Sequence, residues 1–275
     1  MDRTTIHSLL IALLVISLPG CWHSESDTTI VESTHITDIY QHLTPDEYNK
    51  DTLVIFDICN TLGAPPTDLA SDQWFSALFQ QGMNDGRPVD EALSTALAPY
   101  CYAQHHQWLV PIEPDTVSTV KSLQQRGITV IALTARGLYL FYRTLEQLHK
   151  IDIDFTHTSP RKAVVSYGVK NQSLYSHGII FAGSLNKGDV LKHWLEQLKF
   201  QPKKIIFIDD KLKNIETVAD AMKTANYPFV GIRYGHLDER VKNFDMYQTE
   251  REYQALLENS QDRKPIDVCP FQTIG

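Results

Sequence analysis

No stretch of this sequence reaches the roughly 20 consecutive apolar residues that cross a bilayer as a helix, the longest being Leu9 to Leu18. Positive charge is also short, since 25 Lys and Arg stand against 33 Asp and Glu, for a net charge of -8. Nucleic-acid binding relies on clustered basic residues that displace phosphate counterions, so a nucleic-acid partner is not expected. Cysteine is sparse: Cys21, Cys59, Cys101 and Cys269. An oxidising compartment would permit a Cys101 to Cys269 disulfide and leave Cys59 as the odd thiol, but reduced thiols fit the sequence equally well. Internal repeats and low-complexity tracts are absent. What remains is a chain of 275 residues with 43% apolar content, enough for one main globular domain with an insertion.

The first residues, MDRTTIHSLLIALLVISLPGC, have Arg3 in a short polar head, an apolar run, and Gly20 before Cys21. This is the shape of an export signal. Leu18-Pro19-Gly20-Cys21 resembles a bacterial lipobox, which implies a signal over 1–21, lipid on Cys21 and attachment to a membrane. Trp22 stands where an Asp would favour inner-membrane retention, so the same resemblance implies the outer membrane of the cell envelope. Residues 22–35 are polar and without periodicity in their first part, and read as a tether.

Four apolar runs follow: Leu53 to Phe56, Ile128 to Leu133, Ile205 to Ile208 and Phe229 to Ile232. Continuous rather than alternating hydrophobicity suits strands covered on both faces of a parallel sheet. Helical spacing appears between them. Val117, Val120 and Leu123 follow a cap at Asp115, Val190 to Leu198 mark a second helix, and Ile215 to Met222 a third. The alternation predicts an α/β, doubly wound (Rossmann-like) parallel sheet, with its core in 36–62 and 114–260. Residues 63–113 read as a small helical cap insertion, 153–184 as an accessory β-hairpin, and 261–275 as a C-terminal tail.

In such sheets ligands gather beyond the carboxyl ends of the strands. The polar residues found there are Asp57, Thr134, and the pair Asp209 and Asp210, with Lys187 at a helix start nearby. Together they suit phosphoryl transfer. Asp57 can attack phosphorus, Thr134 can donate to a phosphoryl oxygen and Lys187 can offset its charge. The carboxylates supply the hard oxygen ligands that Mg²⁺ prefers.

The sequence here resembles the haloacid dehalogenase (HAD) superfamily. The pattern D-x-D-x-T-L appears as Asp57-Ile58-Cys59-Asn60-Thr61-Leu62, followed in order by Leu133-Thr134, Lys187 and Phe207-Ile208-Asp209-Asp210. The resemblance implies a Mg²⁺-dependent phosphatase of small phosphorylated substrates. Asp57 would be nucleophile and metal ligand, the Cys59 carbonyl a second ligand, Asp209 a third and Asp210 its support. The segments KGDVLKHWL and FIDDKLKNIETV also resemble exported bacterial HAD-like proteins without an assigned activity.

Cys59 stands where the family places its acid. A neutral thiol, with an unperturbed pKa of about 8.5, donates poorly, and a positioned general acid contributes about 10²- to 10⁴-fold. A phosphatase slow on alkyl phosphates and better on activated ones is therefore expected. A fold that binds or interacts without turnover is the alternative, and a thiol-regulated enzyme a third. A tyrosine-phosphatase loop is excluded because Pro65 occupies the position of its arginine. A Schiff-base mechanism is disfavoured because 63–113 contains no lysine, and Arg87, the one basic residue there, is a candidate substrate contact.

Overall fold

A computed structural model describes residues 27–162, 165–167 and 172–260. The signal segment, Cys21, Cys269 and the tail lie outside the described residues, as do the lipidation and disulfide expectations that depend on them.

The strands are β1 (Thr28–Ser33), β2 (Thr52–Phe56), β3 (Gly63–Ala64), β4 (Val110–Pro111), β5 (Thr129–Thr134), β6 (Val165–Tyr167), β7 (Ser173–Ser176), β8 (Ile179–Phe181), β9 (Lys204–Asp209) and β10 (Phe229–Tyr234). The helices are α1 (Asp72–Asn84), α2 (Val89–His106), α3 (Thr116–Gln125), α4 (Phe141–Lys150), α5 (Lys187–Gln197), α6 (Leu212–Thr224), α7 (Asp238–Lys242) and α8 (Met246–Ser260). The main sheet has the order β1-β10-β9-β2-β5-β8-β7-β6, with β3 and β4 forming a separate ribbon. All pairings from β1 to β8 along that order are parallel, and β7 and β6 close the edge antiparallel.

Period-two alternation sends successive residues of each central strand to opposite faces. Leu53 and Ile55 pack with Val190, Leu191 and Trp194 of α5 and Ile215 and Val218 of α6. Val54 and Phe56 pack on the other face with Val120 and Leu123 of α3. Helices thus cover both faces, and the fold is α/β, mostly parallel and Rossmann-like, as its apolar runs predicted.

The expected tether from 22 to 35 needs correction. Residues 28–33 form β1, paired in register with β10 from Thr28 opposite Phe229 to Ser33 opposite Tyr234. Thr28, Thr29, Ile30 and Val31 are β-branched and favour strand, but β1 is an edge strand with a mixed burial pattern, so no apolar run announces it. The expected hairpin is also revised. β7 and β8 do form one, through His177 and Gly178, both at positive φ (53° and 73°), the geometry of a two-residue primed turn. A Cβ on Gly178 would lie 2.6 Å from the carbonyl oxygen of Phe155. Far from accessory, however, β8 lies beside β5 and extends the main sheet.

The helices α1 and α2 arise from the predicted insertion and pack over a third apolar cluster of Leu69, Trp74, Tyr100 and Leu140, which α8 covers from outside through Tyr253 and Leu256. Polar contacts also join this cap to the core. Gln147 on α4 donates to the carbonyls of Gln104 and Gln107, and Arg143 donates to the same two carbonyls while its guanidinium stacks 3.9 Å over Trp108.

Candidate active site

β9, β2 and β5 are neighbours and parallel, so their carboxyl ends open on one rim. Asp57 follows β2, and its N–H still donates to Ile208 O at 2.8 Å, which locks it against β9. Asp209 ends β9 and Thr134 ends β5. Lys187 is the first residue of α5, a helix begun by Asn186, whose side chain accepts from the N–H groups of Gly188 (2.8 Å) and Asp189 (3.2 Å).

Lys187 Nζ lies 2.6 Å from Asp57 Oδ1 and 2.7 Å from Asp209 Oδ2, all three side chains being nearly sealed from solvent. Burial works against the lysine charge, but Asp209 and Asp57 outweigh it and hold the ammonium protonated. Asn214 donates to both Asp209 oxygens at 3.0 Å, and Lys211 N donates to Oδ1 at 2.8 Å. Asp209 is thereby fixed in place. Burial pushes the Asp57 carboxyl up to about 6, opposed by Lys187 and reinforced by Asp209. Burial and the neighbouring Asp209 and Asp57 push Asp210 up to about 8.

Asp57, Asp209 and Asp210 bring carboxylate oxygens within 4.8 Å of one another. One buried ammonium faces three carboxylates, a deficit of positive charge that a divalent cation with oxygen preference would make good. The donor set fits Mg²⁺ in chemistry and charge.

The surrounding cavity, about 80 Å³, is lined by Asp57, Cys59, Thr134, Lys187 and Asp210, with Phe75 and Tyr100 contributed by the cap. Thr134 Oγ1 accepts from Arg136 N at 3.2 Å, which leaves its own proton to donate. The structure therefore brings together every residue singled out on the strand rim. Arg87 is elsewhere, bonded to Thr95 and Asp85, and does not line the cavity.

Three contributors escaped the sequence reading. Arg136, two residues after Thr134, donates through Nε to Cys59 Sγ at 3.3 Å and through Nη1 to Thr144 and Gln147, while its buried Nη2 has no partner among the described residues. Burial pushes the Cys59 thiol up, with Arg136 pulling the other way, so it stays neutral. Asn214 orients Asp209 from α6. Lys211 forms an ion pair with Asp72 at the start of α1, tying the cap to the segment that follows Asp209 and Asp210. The asparagine and the lysine lie within the segment after Asp210 and were legible by position, but nothing marks Arg136 before burial is known.

No helix among the described residues is long and apolar enough to cross a membrane. In sequence the chain is 28% identical over 181 residues to a "Putative outer membrane protein" of Chlamydia pneumoniae, covering 66% of this chain and 68% of that protein. It is 26% identical to a protein of the same name from Chlamydia trachomatis, over 77% of this chain and 78% of the other. Among solved structures, a HAD family hydrolase from Salmonella enterica serovar Typhi aligns at 14% identity over 70% of each chain with a TM-score of 0.38. The model of the family described as "Protein of unknown function (DUF2608)" matches residues 32–263, and the chain belongs to that family.

Proposed function

We propose that the protein is a HAD-like, Mg²⁺-dependent hydrolase that removes phosphate from a small phosphomonoester through Asp57. The observation that carries this reading is the buried Asp57–Lys187–Asp209 bridge beside Asp210 and Thr134 at the carboxyl ends of three parallel strands. Asp57 forms a bond to phosphorus as the bond to the leaving oxygen breaks, and that oxygen departs with the electron pair. Water then cleaves the aspartyl phosphate and regenerates the carboxylate. Thr134 and Lys187 hold the phosphoryl oxygens, and Asp57, the Cys59 carbonyl and Asp209, kept in place by Asn214 and supported by Asp210, would hold the cation. Mg²⁺, when bound, neutralises the charge that gathers on the transferring group.

Cys59 decides which substrates turn over. Its neutral thiol is engaged by Arg136 and supplies little acid, so aryl and acyl phosphates, whose leaving groups need no proton, are favoured over alkyl phosphates. The cavity of about 80 Å³ has room for about five water-sized positions at ~15 Å³ each. A phosphoryl group fits inside, and a bulky leaving group requires the cap to move. The names of the chlamydial relatives and the lipobox-like start support a place in the cell envelope, with attachment through Cys21. The test is phosphate release from an aryl phosphate with and without Mg²⁺, beside Asp57→Asn. Equal rates for wild type and variant defeat the proposal, and turnover absent in both favours a binding protein that keeps the fold.

A further inference from the structure

Away from Asp57, at the end of the sheet where β1 and β10 pair, three potential metal-binding side chains converge from distant parts of the chain. His35 follows β1, His236 follows β10, and Glu113 lies in the segment that returns from the cap to α3. Their ligand atoms lie within 4.8 Å of one another. We propose that His35, Glu113 and His236 form a site for one divalent transition-metal ion of the zinc class.

The spacing supports this. Metal bonds of about 2.0–2.2 Å at tetrahedral angles place neighbouring ligand atoms ~3.4 Å apart. Glu113 Oε2 lies 3.1 Å from His35 Nδ1 and 3.7 Å from His236 Nδ1, on either side of that value. The carboxylate is also held in position. Its other oxygen, Oε1, accepts from Ile36 N at 2.6 Å and from the hydroxyl of Tyr234, which leaves Oε2 directed at the imidazoles. The His236 ring stacks on Tyr234, with planes 14° apart. Outer partners of this kind are what orient metal ligands.

Two imidazoles and one carboxylate select zinc-like ions over Mg²⁺, which prefers oxygen alone. Without an ion, Nδ1 of His236 donates to Thr34 O at 2.9 Å. Coordination through Nδ1 requires that atom to give up this proton, leaving the ring hydrogen on Nε2. Half the side chain of His35 or more is open to solvent, which leaves the ion a route in and a coordination position for water. The bound ion would pin the carboxyl ends of the adjacent strands β1 and β10 to the segment that returns from the cap.

The experiment is metal analysis of the full chain after equilibration with Zn²⁺ and removal of free metal. Wild type should retain a zinc ion that His236→Ala and His35→Ala lose, whereas Asp57→Asn retains it. A further variant guards against loss of fold: with Co²⁺, His35→Cys should gain a thiolate-to-metal charge-transfer absorption absent from wild type. Zinc retained equally by His236→Ala and wild type, no zinc retained by wild type, or no new absorption in His35→Cys each overturn the proposal and leave Glu113 as a hydrogen-bonded staple.

Discussion

Replacing Lys187 with Met tests the electrostatic reading of the rim most directly. The lysine side chain is 3% exposed, and its partners Asp57 and Asp209 are 7% and 0% exposed, so solvent cannot screen what the substitution leaves behind. Met fills a similar volume, which removes the cavity contribution and isolates the charge. Taking one partner from a buried ionic cluster costs about 3–5 kcal/mol, a shift of roughly 10²- to 10⁴-fold in the folding equilibrium against a total stability of about 5–15 kcal/mol. Urea unfolding followed by circular dichroism should show a lower midpoint at unchanged slope. Adding Mg²⁺ should restore more stability to the variant than to wild type, because the cation then neutralises carboxylates that the lysine no longer reaches. Combining Lys187→Met with Asp57→Asn should recover part of the loss, with a coupling of about 0.5–3 kcal/mol. A single variant within about 1 kcal/mol of wild type, the scale of an exposed ion pair, would refute the claim that these charges are desolvated and mutually dependent.

Asn214→Ala frees both Asp209 oxygens from their 3.0 Å bonds and should weaken Mg²⁺ binding by about 10- to 100-fold in calorimetric titration; unchanged affinity would remove Asn214 from the site. Gly188→Ala would set a Cβ 2.2 Å from Thr217 O where α5 meets α6, and thermal melts should show a loss of about 1–3 kcal/mol. Cys59→Asp places a carboxylate beside Arg136 Nε, which will hold it ionised, so alkyl-phosphate hydrolysis should stay slow. Cys59→Asp with Arg136→Gln should raise it by about 10²- to 10⁴-fold, and equal rates for the single and double variants would refute the role given to Arg136. Burial pushes the Glu47 carboxyl up, but bonds from Lys204 and Thr44 outweigh it and hold the pKa below 4.5. The stability this pair contributes is therefore complete above about pH 4.5 and lost as pH falls through the lower folded-state value; acid titrations of Lys204→Met should lack that component.

The central sheet was legible because Leu53 to Phe56 and Ile205 to Ile208 are buried on both faces, and a strand so placed has no polar alternation to hide it. Asp57, Thr134, Asp209 and Asp210 could be placed together because each ends or follows such a strand, where the rim of a parallel sheet must lie, whereas Lys187 opens a helix and was placed by its position in the pattern. β1 was not, because an edge strand faces solvent and its partner lies some two hundred residues away. Nor was the joining of β8 to β5, since pairing between segments is absent from local periodicity. Arg136 was missed for a different reason. Its importance comes from Cys59, 77 positions earlier in the chain and 3.3 Å away in space, and from burial that leaves a guanidinium without a carboxylate.

The direction of β1 has a consequence for the attachment through Cys21 proposed above. β1 runs parallel to β10, β9 and β2, so it enters the sheet at the end opposite the rim that carries Asp57. Its six residues advance ~20 Å before the chain reaches that rim. From Cys21 to Thr28 the chain can stretch at most ~25 Å. An anchor at Cys21 would keep the Thr28 end of β1 within that distance of the membrane, with the Asp57 cavity at the other end of the strand, which favours substrates dissolved in the surrounding medium over those embedded in the lipid.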